Sequence, residues 1–187
     1  RSLRSVRLRT KNDEYWYRPP ELLALEGPRF ARLRRELRRL QKQHVVSARP
    51  YRIEDLDSCL DLLRHWNETQ GKCYPAVLDA AYAETTLRRF EEFSWEDLTG
   101  VVAEVEGEIR GFAFGGRLSA QLGHAFLLKA DLEVPNLSAY TFLELLRMMS
   151  DYDWVNTGGD LRQTGLARWK QRLQPGRQQP VFQAVLR

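Results

Sequence analysis

Apolar positions along the chain recur first at every second residue, then at every third or fourth. Residues 3–9 and 15–17 alternate loosely around Lys11, Asn12 and Asp13, and read as a hairpin that Pro19 and Pro20 end. "ELLALEG" follows as a short helix with Gly27 as its C-terminal cap. In "PRFARLRRELRRLQK", Phe30, Leu33, Leu37 and Leu40 form one helical stripe. "VVSARPYR" reads as a strand; Ile53, Leu56, Leu60 and Leu63 then space a helix that ends at Gly71, and Pro75 opens another that runs through Phe93. "GVVAEVEGEIRGFAFGG" is two β-rich runs flanking Glu106, Gly107 and Glu108, with Gly107 permitting the turn. The period of two puts Phe112 and Phe114 on one face, expected to enter one helix-covered layer, and Ala113 on the other. "HAFLLKADLEV" is a further strand, residues 136–151 an amphipathic helix through Phe142, Leu145, Leu146 and Met149, "DWVN" a strand, residues 163–173 a helix, and "PVFQAVLR" a closing strand.

From residue 45 the order is therefore β-α-α-β-β-β-α-β-α-β. It predicts an α/β domain with a mixed, mainly antiparallel sheet and helices on both faces. This order resembles that of the GNAT acyltransferase fold and leaves no long unassigned loop. The resemblance divides the chain into a GNAT-like domain over 45–187 and a leading part, 1–44, expected to be the end of a preceding GNAT-like lobe with a basic connecting helix.

Charge changes the picture of that leading part. The chain carries a net +4, but residues 1–50 hold 14 Lys and Arg against 5 Asp and Glu, while the remainder is acidic on balance. Arg32, Arg34, Arg35, Arg38 and Arg39 surround the leucine stripe, opposed only by Glu36. They either solvate a helix or meet a polyanion such as tRNA or anionic lipid, since phosphate attraction needs only clustered cations. The leucine stripe should pack on the domain and leave Arg32, Arg35 and Arg39 accessible.

Composition excludes several classes. No apolar run approaches bilayer length, and no signal peptide is visible. Two cysteines, Cys59 and Cys73, suit a reducing, cytoplasmic compartment rather than a disulfide framework. His44, His65 and His124 are scattered and no metal-ligand spacing occurs, so no metal is expected. Because the chain opens on Arg1, an upstream lobe or membrane segment is expected to precede it.

Within "VNTGGDLRQTGLARWKQRLQP", the spacing Arg162-x-x-Gly165-x-Ala167 spells the pyrophosphate loop of acetyl-CoA-dependent N-acetyltransferases. It stands one strand too late. The stretch that should carry that loop, 129–138, reads "KADLEVPNLS" and has no glycine. The match is coincidental on this reading, and acetyl-CoA is disfavoured as a donor; no other cofactor is expected.

The same segment resembles the C-terminal signature of the bacterial phosphatidylglycerol lysyltransferase C-terminal domain family, through Asn156, Asp160, Leu161, Gly165, Leu166, Lys170 and Pro175. Arg168 falls one place later than that family's usual arginine. Upstream, Tyr15 and Tyr17, then Leu22, Leu25, Gly27 and Phe30 follow its order, as do Lys129, Ala130 and Asp131. Three features depart from it. Leu33, Arg34 and Arg35 replace its Lys-Arg-Asn; Thr157, Gly158 and Gly159 replace acidic residues; Arg162 stands where glycine is common. The resemblance implies transfer of an aminoacyl or other activated acyl group, from aminoacyl-tRNA to a lipid or small-molecule acceptor. Attack on an ester needs positioning, a route for one proton and donors for an oxyanion. On that basis Asp131 would orient or deprotonate a nucleophile or bind a cationic aminoacyl group, Lys129 and Lys170 would hold phosphate or oxyanion charge, and Asn156, Asp160 and Arg162 would position substrate. Each has a plainer alternative: Asp160 as a helix N-cap, Asn156 as a turn residue, Lys170 exposed on its helix, Gly165 as a close-packing position. Two other functions stay open, a non-catalytic lobe that binds RNA or anionic lipid, and a CoA-dependent N-acetyltransferase.

Overall fold

The structure, a computed structural model, describes residues 6–71 and 80–186. Cys73, the helix start expected at Pro75 and the outer residues of the strands expected at 3–9 and 180–187 lie outside the described residues. Seven strands form one sheet in the order β2-β3-β4-β5-β6-β1-β7. They are β1 (Val6–Tyr17), β2 (Val46–Pro50), β3 (Leu98–Val105), β4 (Glu108–Arg117), β5 (Leu122–Ala130), β6 (Trp154–Gly159) and β7 (Arg177–Leu186). The helices are α1 (Pro19–Ala24), α2 (Ala31–Gln43), α3 (Leu56–Trp66), α4 (Ala80–Arg88), α5 (Leu137–Met148) and α6 (Thr164–Arg172). The mixed sheet with helices on both faces is the GNAT-like arrangement that the element order predicts: β5 and β6 run parallel and the other pairings are antiparallel.

The period of two sorts the core into two layers. Phe112 and Phe114 enter the layer under α3 and α4 with Tyr51, Leu62, Leu63 and Leu87, while Ala113 joins the opposite layer with Phe142, Leu145 and Leu146 of α5. Each buried phenylalanine contributes about 2–3 kcal/mol through apolar burial. The β3–β4 turn places Glu106 at φ 53° and Gly107 at φ 84°, the pair of left-handed residues a two-residue hairpin requires.

The N-terminal hairpin does not form. Residues 6–17 are one strand, lying between β6 and β7. Lys11, the first of the three turn-like residues, is absorbed at a bulge between Thr10 and Asn12, and the strand runs on through Asn12 and Asp13. Tyr15, Tyr17, Leu22, Phe30 and Leu33 then share a core with α5, so residues 6–44 pack on the same sheet as the rest. Leu33 and Leu40 of α2 are buried while Arg32, Arg35, Arg38 and Arg39 are exposed, as the leucine stripe predicts. The left-handed residue that ends α1 is Leu25 (φ 51°) rather than Gly27, which comes two residues later at φ 78°.

Candidate active site

The sheet opens at its centre. β5 and β6 pair only at Leu122–Trp154, Gly123–Val155 and His124–Asn156. Beyond His124, β5 runs on to Ala130 paired with β4 alone, and β6 runs on to Gly159 paired with β1. Among the described residues one backbone edge of β5 is thus unpaired along a fork, and the sequence-predicted site residues fall into two groups on either arm of it.

On the β5 arm, Asp131 follows the last strand residue and is buried; its Oδ2 accepts from Arg110 Nη1 (3.0 Å) and its Oδ1 from the Glu133 N–H (2.9 Å). Lys129 is buried as well, its Nζ 3.5 Å from the centre of the Trp66 ring, a short cation–π contact. The cleft beside them holds about 250 Å³ and is lined by Trp66, His65, Thr69, Asp131 and Glu133 among others. Trp66 was not visible as a site residue in the sequence, because a tryptophan at the end of an apolar helical stripe reads as core.

On the β6 arm, Asn156, Asp160, Lys170 and Arg162 come together with Glu14 and Tyr15 of β1. Asn156 Nδ2 donates to Glu14 Oε2 (2.8 Å) and its Oδ1 accepts from the Gly158 N–H (2.7 Å), so its turn role is real but accompanied by a second partner. Asp160 is not the N-cap of α6, a position held by Gln163; its Oδ2 accepts from the Tyr15 hydroxyl (2.9 Å) and its Oδ1 from the Arg162 N–H (2.9 Å). Burial and the Asp160 bond push the Tyr15 phenol up to about 12. Arg162, at φ 59°, donates to the carbonyls of Lys11 (3.0 Å) and Thr10 (3.2 Å), clamping the β6–α6 turn to β1. Gly165 is exposed on the first turn of α6 and is not a close-packing position.

Lys170 is buried, contrary to the exposed alternative. Its Nζ donates to the carbonyls of Thr157, Gly158 (2.9 Å) and Gly159 (2.9 Å), and the Lys170 carbonyl accepts from the Tyr17 hydroxyl (2.8 Å). Burial pulls its pKa down to about 8 against the opposing charges of Asp160 and Glu14. This explains the departure at 157–159. Gly158 sits at φ 66°, a conformation that side chains rarely adopt, and a Cβ on Gly159 would fall 1.7 Å from Asn12 Nδ2, so glycine suits both positions of the turn that presents its carbonyls to the ammonium. His124, scattered in the sequence, stands at the last pairing before the fork, half-buried and held below its ordinary pKa by burial.

The arginines of α2 are not equivalent. Arg34 donates to the carbonyls of Leu25 and Gly27 and ties α2 to the end of α1. Arg32 pairs with Glu36 (2.9 Å), whose other oxygen lies 3.5 Å from Arg172 of α6. Arg35, Arg38 and Arg39 line a shallow groove with Lys42.

Fold and site together define a GNAT-like domain with a polar fork at the centre of its sheet. Residues 3–185 match the family described as phosphatidylglycerol lysyltransferase, C-terminal, and the chain belongs to that family. No curated protein matches the sequence. Among solved structures it is similar to a conserved protein of unknown function from Bacteroides thetaiotaomicron (23% identity, TM-score 0.86, covering 98% of this chain and 62% of that one). It is also similar to L-PGS from Bacillus licheniformis (16%, TM-score 0.66, 96% and 61%) and to the C-terminal domain of a lysylphosphatidylglycerol synthetase from Agrobacterium fabrum (14%, TM-score 0.64, 96% and 61%). These likenesses show a shared fold. The chain spans about three fifths of the length of each. Among the described residues no helix is long and apolar enough to cross a membrane.

Proposed function

We propose that this domain transfers an aminoacyl or other activated acyl group, carried as an ester such as aminoacyl-tRNA, to the hydroxyl of a lipid or small-molecule acceptor. The observation that carries the reading is the buried Asp131 at the end of β5, where the unpaired strand edge meets the Trp66 cleft. An extended donor can add its amide or ester groups to that edge as a strand would. The acceptor hydroxyl attacks the ester carbonyl; its proton passes to Asp131, the Lys129 ammonium supports the oxyanion, and the donor's ribose hydroxyl leaves with a proton. Lys170, Asp160, Arg162 and Asn156 hold the opposite arm in place. On this reading the domain works on the cytoplasmic side, against an anionic lipid surface, with a preceding lobe completing the acceptor site. The test is transfer of labelled amino acid from aminoacyl-tRNA into extracted lipid; a full-length protein that is folded and inactive with every aminoacyl-tRNA would sink it.

Acetyl-CoA is expected to bind weakly or not at all. Ahead of α5 the Glu133 N–H is taken by Asp131 and the Leu137 N–H by the Val134 carbonyl, and the carboxylates of Asp131 and Glu133 on the same turn would repel a pyrophosphate. Calorimetry decides: stoichiometric, low-micromolar binding would overturn this expectation.

One observation favours a non-catalytic lobe that binds RNA or anionic lipid. Every polar candidate on the β6 arm is engaged by another part of the chain. The α2 groove then carries the function. Replacing Arg35, Arg38 and Arg39 by glutamine should reduce the salt slope of polyanion binding by about 2–3 while leaving the fold intact. Equal slopes for wild type and triple variant would show that α2 is a solvated connector.

A further inference from the structure

The Trp66 cleft has two walls. One is the last turn of α3 and the single π-helical turn that continues it, Asn67–Gly71; together they bring His65, Trp66 and Thr69 to the cleft. The other is the end of β5, with Asp131 and Glu133. A π turn is rare, and where one occurs it is often at a functional site. This one is pinned: the Thr69 hydroxyl donates to the carbonyls of His65 (2.9 Å) and Trp66 (3.3 Å), and the Lys129 ammonium sits on the Trp66 ring. The backbone that carries His65 is held, while its imidazole is exposed and meets no hydrogen-bond or ion-pair partner among the described residues.

Acyl transfer from one oxygen to another moves two protons. The attacking hydroxyl loses one, and the departing ribose oxygen must gain one, because an alkoxide leaves poorly. Asp131 suits the first task alone: Arg110 and the Glu133 N–H both bond to its carboxylate and favour the form that accepts. The second task needs a group that carries a proton at neutral pH and also gives it up. Carboxylates such as Glu133 ordinarily carry none, and the Lys129 ammonium is held on the Trp66 ring. Imidazole is the side chain that ordinarily does both near neutrality.

We propose that His65 is the proton donor to the leaving oxygen, acting from the wall of the cleft opposite Asp131. This rests on the acyl-transfer reading of the same cleft and supplies the proton with which the ribose hydroxyl departs. The acceptor oxygen bonds to the ester carbonyl carbon as its proton passes to Asp131. The bond from that carbon to the ribose oxygen breaks as an imidazolium N–H of His65 passes its proton to that oxygen. One ester and one hydroxyl are consumed, and one of each is formed. The proton left on Asp131 then returns to the neutral imidazole through solvent, which the exposure of His65 admits. The cleft of about 250 Å³ takes the ester group between its walls, with the rest of donor and acceptor outside.

The test is transfer of labelled amino acid from aminoacyl-tRNA by the full-length protein, as wild type, His65→Ala and His65→Gln. Both variants should melt with the wild type, since the side chain is exposed. Each should lose about 10²-fold or more in rate, the range in which a positioned acid acts. Free imidazole added to His65→Ala should restore much of that loss, in proportion to its concentration; His65→Gln, whose side chain fills the space, should recover less. A residue that only shapes the wall would show no such rescue. A His65→Ala protein as active as the wild type, or a loss that imidazole does not recover, overturns the proposal and leaves the acyl-transfer reading standing. A folded wild type that transfers nothing overturns that reading, and the role of His65 with it.

Discussion

Replacing Lys170 by methionine is expected to cost the folded domain about 3–5 kcal/mol, because it leaves buried acceptors without their donor. Three carbonyls, of Thr157, Gly158 and Gly159, converge on this one ammonium at the end of β6. The methionine stem can fill the space but offers no proton. For a chain of this length the loss should lower the melting temperature by roughly 10 °C. A loss below about 1 kcal/mol would mean that water takes over the three acceptors. The same residue sets a pH dependence. Its pKa lies near 8 in the folded protein and near 10.5 in the unfolded chain, chiefly because burial disfavours the charge. Between those values the unfolded chain binds more protons, so Lys170 makes stability rise with pH; below about 8 its desolvation penalty is fully present. Urea unfolding at several pH values across that window should show wild type gaining on K170M. Parallel curves would place the folded pKa near its ordinary value.

Asp131→Asn is expected to lower acyl transfer by about 10²–10⁴-fold, the range over which a positioned proton acceptor acts. The carboxamide keeps the acceptor for the Glu133 N–H but presents an N–H₂ to Arg110 or to the substrate. Arg110→Gln is the control, since it removes the 3.0 Å ion pair while leaving the carboxylate in place. If both variants lose activity equally, Asp131 is an anchor for Arg110 and the β5 end, and the proton must go elsewhere. If only Asp131→Asn loses it, the carboxylate acts on substrate. Melting curves of both variants separate either outcome from unfolding.

Local pattern was sufficient where the controlling forces are local. The periods of two and of three to four placed the elements from β2 to β7 in order, because burial of one face per element is written in residue spacing. Gly107 and the sorting of Phe112, Phe114 and Ala113 were legible for the same reason. β1 was not. Lys11, Asn12 and Asp13 look like a turn to any local rule, yet they lie within one strand whose partners, β6 and β7, begin over 130 residues away. Strand pairing at that separation overrides turn propensity, and a bulge absorbs Lys11.

The candidate site divides along the same line. The sequence identified Lys129, Asp131, Asn156, Asp160, Arg162 and Lys170 by residue type and order. It could not say that Asp131 lines a cleft with Trp66 whose ring Lys129 meets, while the other four brace the opposite arm with Glu14 and Tyr15. Nor could it tell a buried Lys170 from an exposed one, because a helical period gives a face without saying what the face meets. That choice was made by a glycine turn a dozen residues earlier, whose carbonyls need a donor once β1 closes over them. His124 was unremarkable until β5 and β6 parted beside it. Spacing along the chain determined the elements and their layers; desolvation and hydrogen-bond satisfaction in three dimensions decided which polar residues hold the fold and which remain beside the fork.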